Sequence, residues 1–189
     1  MIKIENIDVY GWDAAIRGAR NPMNSWDRMD SCYNNGEFEI GENDYKLLKN
    51  LTIAGPEHRK WNRMVTVTMD ITAPLYWWKE FDTYKVGTVA NSTSTMHKLA
   101  STPITRDCFE MDDYATLKVF DGPCDIEETT EDCWNGIIEI CETLRQRYNK
   151  TKDIKYWKEL IRILPESWLQ TRTVTMNYSN LRNIVYWRK

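Results

Sequence analysis

Alternating hydrophobic and polar positions mark three candidate strands along the chain. The segment "IKIENIDVY" alternates apolar and polar residues near the start and predicts a short strand. The segment "RMVTVTMDIT" is rich in β-branched residues and predicts a strand with one apolar face, formed by Val65, Val67, Met69 and Ile71. A third segment, "TRTVTMNY", is strand-like and leads into the last helical pattern. Together they predict a small sheet.

Helical periodicity and stop signals predict the remaining regular structure. Helices are predicted for "GWDAAIRGARNP", "ENDYKLLKNLTIAG", "PLYWWKEFDTYKV" and "DIKYWKELIRILP". Gly55 ends the second segment, Pro74 begins the third and Pro165 ends the fourth. A longer helix, "TTEDCWNGIIEICETLRQRY", can be capped by Thr129 or Thr130. We expect "MNSWDRMDSCYNNGEFEIG" to be a loop and "GTVANSTSTMH" to be a loop or the start of a helix. The sum is an α+β chain, with residues 1–189 as a single domain.

Composition narrows the class of protein. The hydrophobic fraction of 42% is enough for a core, and nine Trp with ten Tyr can fill a core and a subunit interface or stack on flat ligands. The net charge of −3 argues against nucleic-acid binding, but a few basic residues could still bind a small anion. The polar start lacks a signal peptide, and no run approaches the roughly 18 apolar residues of a membrane helix. We therefore expect a cytoplasmic protein without membrane partners, whose five cysteines are free thiols.

Few residues in the sequence could carry chemistry. The two histidines lie far apart, no His/Cys/Asp/Glu cluster has metal-ligand spacing, and no glycine-rich phosphate loop is present. The segment "GPEHRKW" is either a charged turn or a turn that offers His58 to a ligand. The hydroxyl run Ser92–Thr95 is either a capping loop or a phosphate site. In the last helix Arg188 either complements the helix dipole or belongs to a polar site with Asn177 and Asn183.

In this order, the segments resemble the flavin-dependent thymidylate synthases (ThyX) along almost the whole chain. "EHRKW" resembles the family's Glu-His-x-x-Phe, and "APLYWWKEFDTYKVGTVANSTSTMH" lies where the family has its signature Arg-His-Arg-x-x-Ser-x-Asn-Glu-x-Ser-x-Arg-Tyr. "RILP" and "MNYSNLRNIVYWR" are similar to Ala-Arg-x-x-Leu-Pro and Asn-x-Arg-Ser-Leu-x-Asn-Phe-x-x-Leu-Arg. The last match is the most specific, because four residues keep the family spacing: Asn177, Leu181, Asn183 and Arg188.

The resemblance implies a fold, a reaction and a set of site residues. The implied fold is ThyX-like, with a small, mostly antiparallel sheet, several helices and a homotetrameric assembly whose sites are shared between subunits. The implied reaction methylates dUMP or a related pyrimidine nucleotide at C5, using methylenetetrahydrofolate, FAD and NADPH. Arg188 would polarise the pyrimidine. The implied cofactor contacts are His58, Lys85, Asn177 and Asn183, and the implied substrate contacts are Asn91, Ser92, Ser94 and Arg162.

The chain also departs from the family signature. With Asn91 and Ser94 in register, Tyr84 and Val86 occupy the two arginine positions of Arg-His-Arg, and Lys85 occupies the central histidine. In the family these arginines hold the phosphates of FAD and dUMP, so several charge-assisted hydrogen bonds are missing here. Two alternatives follow: a catalytically silent protein on the ThyX scaffold that binds or sequesters a nucleotide, and a flavoprotein with another reaction.

Overall fold

The computed structural model describes residues 2–113, 115–121 and 127–188. Cys124 and the side chains of Met96 and His97 lie outside this description. The strands are β1 (Lys3–Tyr10), β2 (Cys32–Asn34), β3 (Glu37–Glu39), β4 (Thr66–Pro74), β5 (Thr88–Ser92), β6 (Lys118–Asp121), β7 (Glu127–Thr129) and β8 (Leu169–Asn177). The helices are α1 (Trp12–Arg20), α2 (Glu42–Ala54), α3 (Leu75–Phe81), α4 (Thr95–Lys98), α5 (Thr130–Thr151), α6 (Ile154–Ile163) and α7 (Tyr178–Trp187).

Four strands form the main sheet in the order β1-β4-β8-β5. Two hydrogen-bonded pairs of threonine hydroxyls show how β4 and β8 are aligned: Thr68 with Thr175 at 3.0 Å, and Thr72 with Thr171 at 2.7 Å. The residue number falls along one strand as it rises along the other, so the two strands are antiparallel. The opposite face of β4 is apolar and buried, as its alternation predicts. The α+β class with a small antiparallel sheet is therefore confirmed, and the homotetramer stays a prediction.

The chain divides into two compact units. The first, which we call the α7 unit, comprises Ile4–Asp70, Tyr84–Ala90 and Thr173–Lys189. The second, the α5 unit, comprises Met1–Lys3, Ile71–Thr83 and Asn91–Arg172. Each unit has buried apolar residues of its own. That residues 1–189 form a single domain stays a prediction.

A buried ion pair connects α1 with α2 in the α7 unit. The Arg20 guanidinium lies 2.6 Å from a carboxylate oxygen of Asp44, and both side chains are almost fully buried. Asp44 also accepts the backbone N–H groups of Asp30 and Ser31 and the Ser31 hydroxyl. Burial raises the pKa of Asp44, but the hydrogen bonds from Ser31 and Arg20 outweigh it and hold the pKa below its usual value. Removing one partner would leave an uncompensated buried charge, at a cost of about 3–5 kcal/mol.

The core of the α5 unit packs α5 against α6. The buried residues of this core are Leu99, Ile104, Phe109, Cys141, Trp157 and Leu160. The apolar side of α5 contributes Ile137, Ile138, Leu144 and Tyr148 to the edge of this core. Thr129 caps α5 through a reciprocal capping box with Asp132, so one of the two predicted caps is confirmed.

Three sequence expectations differ from the structure. The predicted loop after α1 contains the β2–β3 hairpin, because Asn35 and Gly36 both adopt left-handed backbone conformations, with φ of 50° and 89°, and form a tight turn. The helix opened by Pro74 ends at Phe81, five residues before Val86, where the predicted segment ends. The segment predicted as a loop or helix start contains strand β5, although α4 does begin at Thr95.

Candidate functional site

Helix α7 begins at a fixed point at the end of β8. The side-chain oxygen of Asn177 caps the helix by accepting the backbone N–H of Asn180 at 3.1 Å. The backbone N–H of Tyr178 donates to the carbonyl of Val65 at 3.0 Å, and the ring of Tyr178 meets the Trp12 ring edge-on at 5.1 Å. Burial raises the pKa of the Tyr178 hydroxyl. These contacts hold the first turn of α7 against Val65, which directly precedes β4, and against Trp12, the first residue of α1.

The segment Tyr84–Thr88 is bound to both ends of α7. The Asn180 amide donates to the carbonyl of Val86 and, at 3.0 Å, to the hydroxyl of Thr88. At the other end, Nε of Arg188 donates to the Tyr84 hydroxyl at 3.1 Å, and the guanidinium carbon lies 5.9 Å from the centre of the Tyr84 ring. Asn180 and Arg188 are eight residues apart, about 12 Å along a helix, so the two attachments fix the segment over this distance.

Gly87 allows the segment to approach the helix closely. Its backbone has a φ of 72°, in the region that favours glycine. A Cβ atom at this position would lie 3.0 Å from Nδ2 of Asn177 and 3.2 Å from Nδ2 of Asn180. Both distances are shorter than ordinary van der Waals contact, so a side chain here would displace the two amides.

Several polar groups on this surface remain available to a ligand. Within the described residues, no hydrogen bond or ion pair engages Nδ2 of Asn177, the side chain of Asn183 or the ammonium of Lys85. Asn183, Lys85 and Arg188 are exposed, and Asn177 is half-buried. The surface therefore combines amide donors with two cations, a set that suits an anion or a polar ring. Of the predicted site residues, Asn177 and Arg188 lie at opposite ends of α7, Asn183 lies on the helix between them, and Lys85 belongs to the segment that contacts both ends.

His58 belongs to the same unit but lines a cavity of its own. This cavity has a volume of about 190 Å³ and is also lined by Glu57, Lys60, Trp61 and Met64. None of its lining residues belongs to α7 or to the segment Tyr84–Thr88. The structure therefore does not join His58 to Arg188 through a shared cavity.

The predicted substrate contacts lie in the α5 unit. Asn91 and Ser92 end β5 and are exposed, and Ser94 is half-buried just before α4. Arg162 forms an exposed ion pair with Glu159 at 3.0 Å on α6.

The hydroxyl run is anchored to β8 within the same unit. The Gln170 amide donates to the carbonyl of Thr93 at 3.0 Å and approaches the Thr95 hydroxyl at 3.3 Å, so the run has a defined position.

Three residues that form contacts in these regions were not predicted from the sequence: Asn180, Gly87 and Arg172. Asn180 could have been found, because it lies three residues after a helix-capping asparagine, where a cap binds. Gly87 and Arg172 carry no local signal. The Arg172 guanidinium lies 4.2 Å above the Trp78 ring and donates to Gln170 at 2.9 Å and to Asp82 at 2.8 Å. Trp78 belongs to α3, Asp82 directly follows α3, and Gln170 belongs to β8, so only the fold brings these partners to Arg172.

The part of the chain that the structure describes has neither a metal-binding cluster nor a membrane-spanning helix. No group of three or more His, Cys, Asp or Glu side chains in this part of the chain could hold a metal ion. No helix within residues 2–113, 115–121 and 127–188 has the length and apolar character needed to cross a membrane.

Comparison with known proteins identifies the fold. No protein-family model and no curated protein sequence matches the chain. Thymidylate synthase X (ThyX) from Helicobacter pylori with FAD and dUMP is 14% identical and has a TM-score of 0.65, and the match covers 100% of this chain and 83% of that one. The UMP/dUMP methylase PolB from Streptomyces cacaoi bound with 5-Br dUMP is 17% identical and has a TM-score of 0.64, covering 97% of this chain and 76% of that one. The chain therefore has a ThyX-like fold.

Proposed function

We propose that the protein methylates dUMP, or a related pyrimidine nucleotide, at C5, as a divergent flavin-dependent thymidylate synthase. The observation that carries the proposal is the fixed position of Arg188, which the Tyr84 hydroxyl holds at the end of α7. The ThyX-like fold supports it, because one structural neighbour is a UMP/dUMP methylase and another was crystallised with FAD and dUMP.

Arg188 would act on the pyrimidine as a fixed cation. Attack on the ring at C6 places negative charge on the conjugated carbonyl, and an oriented guanidinium stabilises this charge. The bond from Nε to Tyr84 limits rotation of the planar group. The protein therefore does not have to order this side chain during the reaction, and less of the stabilisation is lost to reorganisation.

The α7 unit has groups that fit FAD. The amides of Asn177 and Asn183 can donate to a heterocyclic ring, Lys85 can neutralise a phosphate, and His58 lines its own cavity in the same unit. These four residues are the proposed cofactor contacts. FAD reduced by NADPH would supply the electrons that convert the one-carbon unit of methylenetetrahydrofolate into a methyl group. The residues of this chain would orient the ring and the nucleotide.

The proposed nucleotide contacts lie in the α5 unit. The Ser92 and Ser94 hydroxyls and the Asn91 amide would donate to the phosphate and sugar. Arg162 would join them only by leaving Glu159, to which it is paired at 3.0 Å. We further propose a cytoplasmic homotetramer whose subunits share these sites.

One observation favours a second candidate, a protein that binds a nucleotide without turning it over. The segment Tyr84–Thr88 offers one cation, Lys85, where the family signature has two arginines and a histidine. Fewer charge-assisted hydrogen bonds weaken phosphate binding, including that of FAD, by roughly 1.5–3 kcal/mol for each bond lost.

The two candidates are separated first by the visible spectrum of the purified protein with added FAD, recorded before and after dUMP. The enzyme should give a bound-flavin spectrum that shifts with dUMP, followed by dTMP formation with NADPH and methylenetetrahydrofolate. If no flavin binds and dUMP still raises the melting temperature, the enzyme proposal is wrong and the binding protein replaces it.

A matched pair of variants tests the role of Arg188. Arg188→Gln removes the fixed cation, and we expect dTMP formation to fall about 100-fold or more, with flavin still bound. Arg182→Gln removes an arginine from the same helix without touching Tyr84, and we expect activity within about twofold of the parent protein. Equal activity of the two variants would refute the assignment.

A further inference from the structure

A second cavity lies in the α7 unit, between α2 and two tryptophans. One face of α2 supplies Tyr45, Leu48, Lys49, Thr52 and Ile53, and the facing wall consists of Trp12, Ile40 and Trp61. The cavity has a volume of about 360 Å³, which is within the range of small-molecule sites. It contains no residue of α7 or of Tyr84–Thr88, so it is separate from the surface described above.

The two tryptophans give this cavity an aromatic wall. The rings of Trp12 and Trp61 are 6.0 Å apart and inclined by 31°. The indole Nε1–H of Trp61 is buried and has no acceptor among the described residues. Because this atom has almost no accessible surface, the cavity offers a ligand the aromatic rings and not the N–H group.

Lys49 provides the charge of the cavity. It is the one charged side chain among the lining residues, and within the described residues it forms no ion pair. The other lining residues are apolar or aromatic apart from Thr52, whose hydroxyl donates to the carbonyl of Leu48. A ligand that matches this lining has a flat apolar body and one negative charge.

We infer that this cavity binds an aromatic anion. The aromatic ring would lie against Trp12 and Trp61, and the anionic group would lie beside Lys49. Aromatic walls favour planar rings over branched aliphatic chains, because offset and edge-on ring contacts add to the burial of apolar area. This binding activity does not depend on the function proposed for the α7 surface.

The first test compares two fluorescent probes on the full-length protein. The aromatic sulfonate 1-anilinonaphthalene-8-sulfonate carries the charge, and N-phenyl-1-naphthylamine has the same rings without it. We expect one sulfonate to bind per chain. Lys49→Gln should weaken sulfonate binding about fivefold and change binding of the neutral probe by less than about twofold, as expected for one solvent-screened ion pair.

Two control variants keep the proposal falsifiable. Lys46→Gln removes a lysine from the same helix that lines a different cavity, and it should leave sulfonate binding unchanged. Ile53→Glu places a negative charge in the lining and should weaken sulfonate binding at least about tenfold, whereas Ile154→Glu, at a similarly exposed site on α6, should not. Equal effects within either pair, or several sulfonates bound per chain, would overturn the inference.

Discussion

Replacement of Gly87 by alanine tests whether the contact between Tyr84–Thr88 and α7 is required for binding. Gly87 has a φ of 72°, and an added Cβ would lie 3.0 Å and 3.2 Å from the amide nitrogens of Asn177 and Asn180. The backbone conformation alone costs an alanine about 1–2 kcal/mol. Part of this is offset, because alanine lowers the entropy of the unfolded chain by about 0.4–1 kcal/mol.

The displaced amides add a second cost. If Asn180 moves, its hydrogen bonds to Val86 and Thr88 are weakened, and each is worth about 0.5–1.5 kcal/mol. We therefore expect Gly87→Ala to lower the free energy of unfolding by about 2–3 kcal/mol. Because the shift also moves Asn177, a proposed FAD contact, we expect FAD to bind at least about tenfold more weakly.

Gly36→Ala is the matched control. Gly36 has a φ of 89°, so it has the same backbone strain, but an added Cβ would meet no atom within 4 Å. We expect it to cost about 1 kcal/mol of stability and to leave ligand binding unchanged. Urea denaturation and calorimetric titration with FAD measure both quantities. If the two variants lose equal stability and bind FAD equally, the close contact at Gly87 plays no part in the site.

Three further predictions concern stability and the arginine. Hydrogen bonds from Arg145 hold the pKa of Glu142 at about 2, below its ordinary value of 4.5. Above pH about 5, Glu142→Gln should therefore lower the free energy of unfolding by at most about 3 kcal/mol, and by about 1–2 kcal/mol after solvent screening. In a series of denaturation experiments at decreasing pH, this difference should disappear as the pH falls towards 2. Thr129→Ala removes the cap of α5 and should lower the melting temperature by about 2–4 °C in calorimetry. Tyr84→Phe removes the acceptor of Arg188 and should lower kcat more than it raises KM for dUMP, a split that stability loss alone would not give.

The predictions from sequence that succeeded depend on local signals. Neighbouring residues determine the alternation of β4, the cap of α5 and the end of α2 at Gly55. The β2–β3 hairpin was also encoded locally by Asn35–Gly36, but the polar composition around it outweighed this turn signal in the prediction. Strand β5 could not be recognised in the same way, because the sheet position of Thr88–Ser92 depends on its pairing with a strand far along the chain.

In the candidate site too, local features could be predicted from the sequence and long-range contacts could not. The spacing of Asn177 and Arg188 along α7 was visible in the sequence, as was the position of Lys85 in the signature segment. The pairing of Arg188 with Tyr84 was not, because 104 residues separate the partners. In the sequence Tyr84 appears only as a departure from the signature that the segment resembles, whereas in the structure its hydroxyl accepts a hydrogen bond from Arg188.

This pairing bears on the choice between an enzyme and a nucleotide-binding protein. The segment Tyr84–Thr88 has one cation, Lys85, where the signature that it resembles has two arginines and a histidine, and the weaker phosphate binding favours the nucleotide-binding protein. The orientation of Arg188 by Tyr84 favours the enzyme, because a protein that only sequesters a nucleotide needs no cation positioned for chemistry on the ring. An arginine at position 84 would also place a like charge beside Arg188, so the tyrosine removes a repulsion as well as a phosphate contact. The proposed reaction at C5 would require an oriented cation at the ring, so the pairing of Arg188 with Tyr84 favours the enzyme, and the flavin spectrum decides between the two candidates.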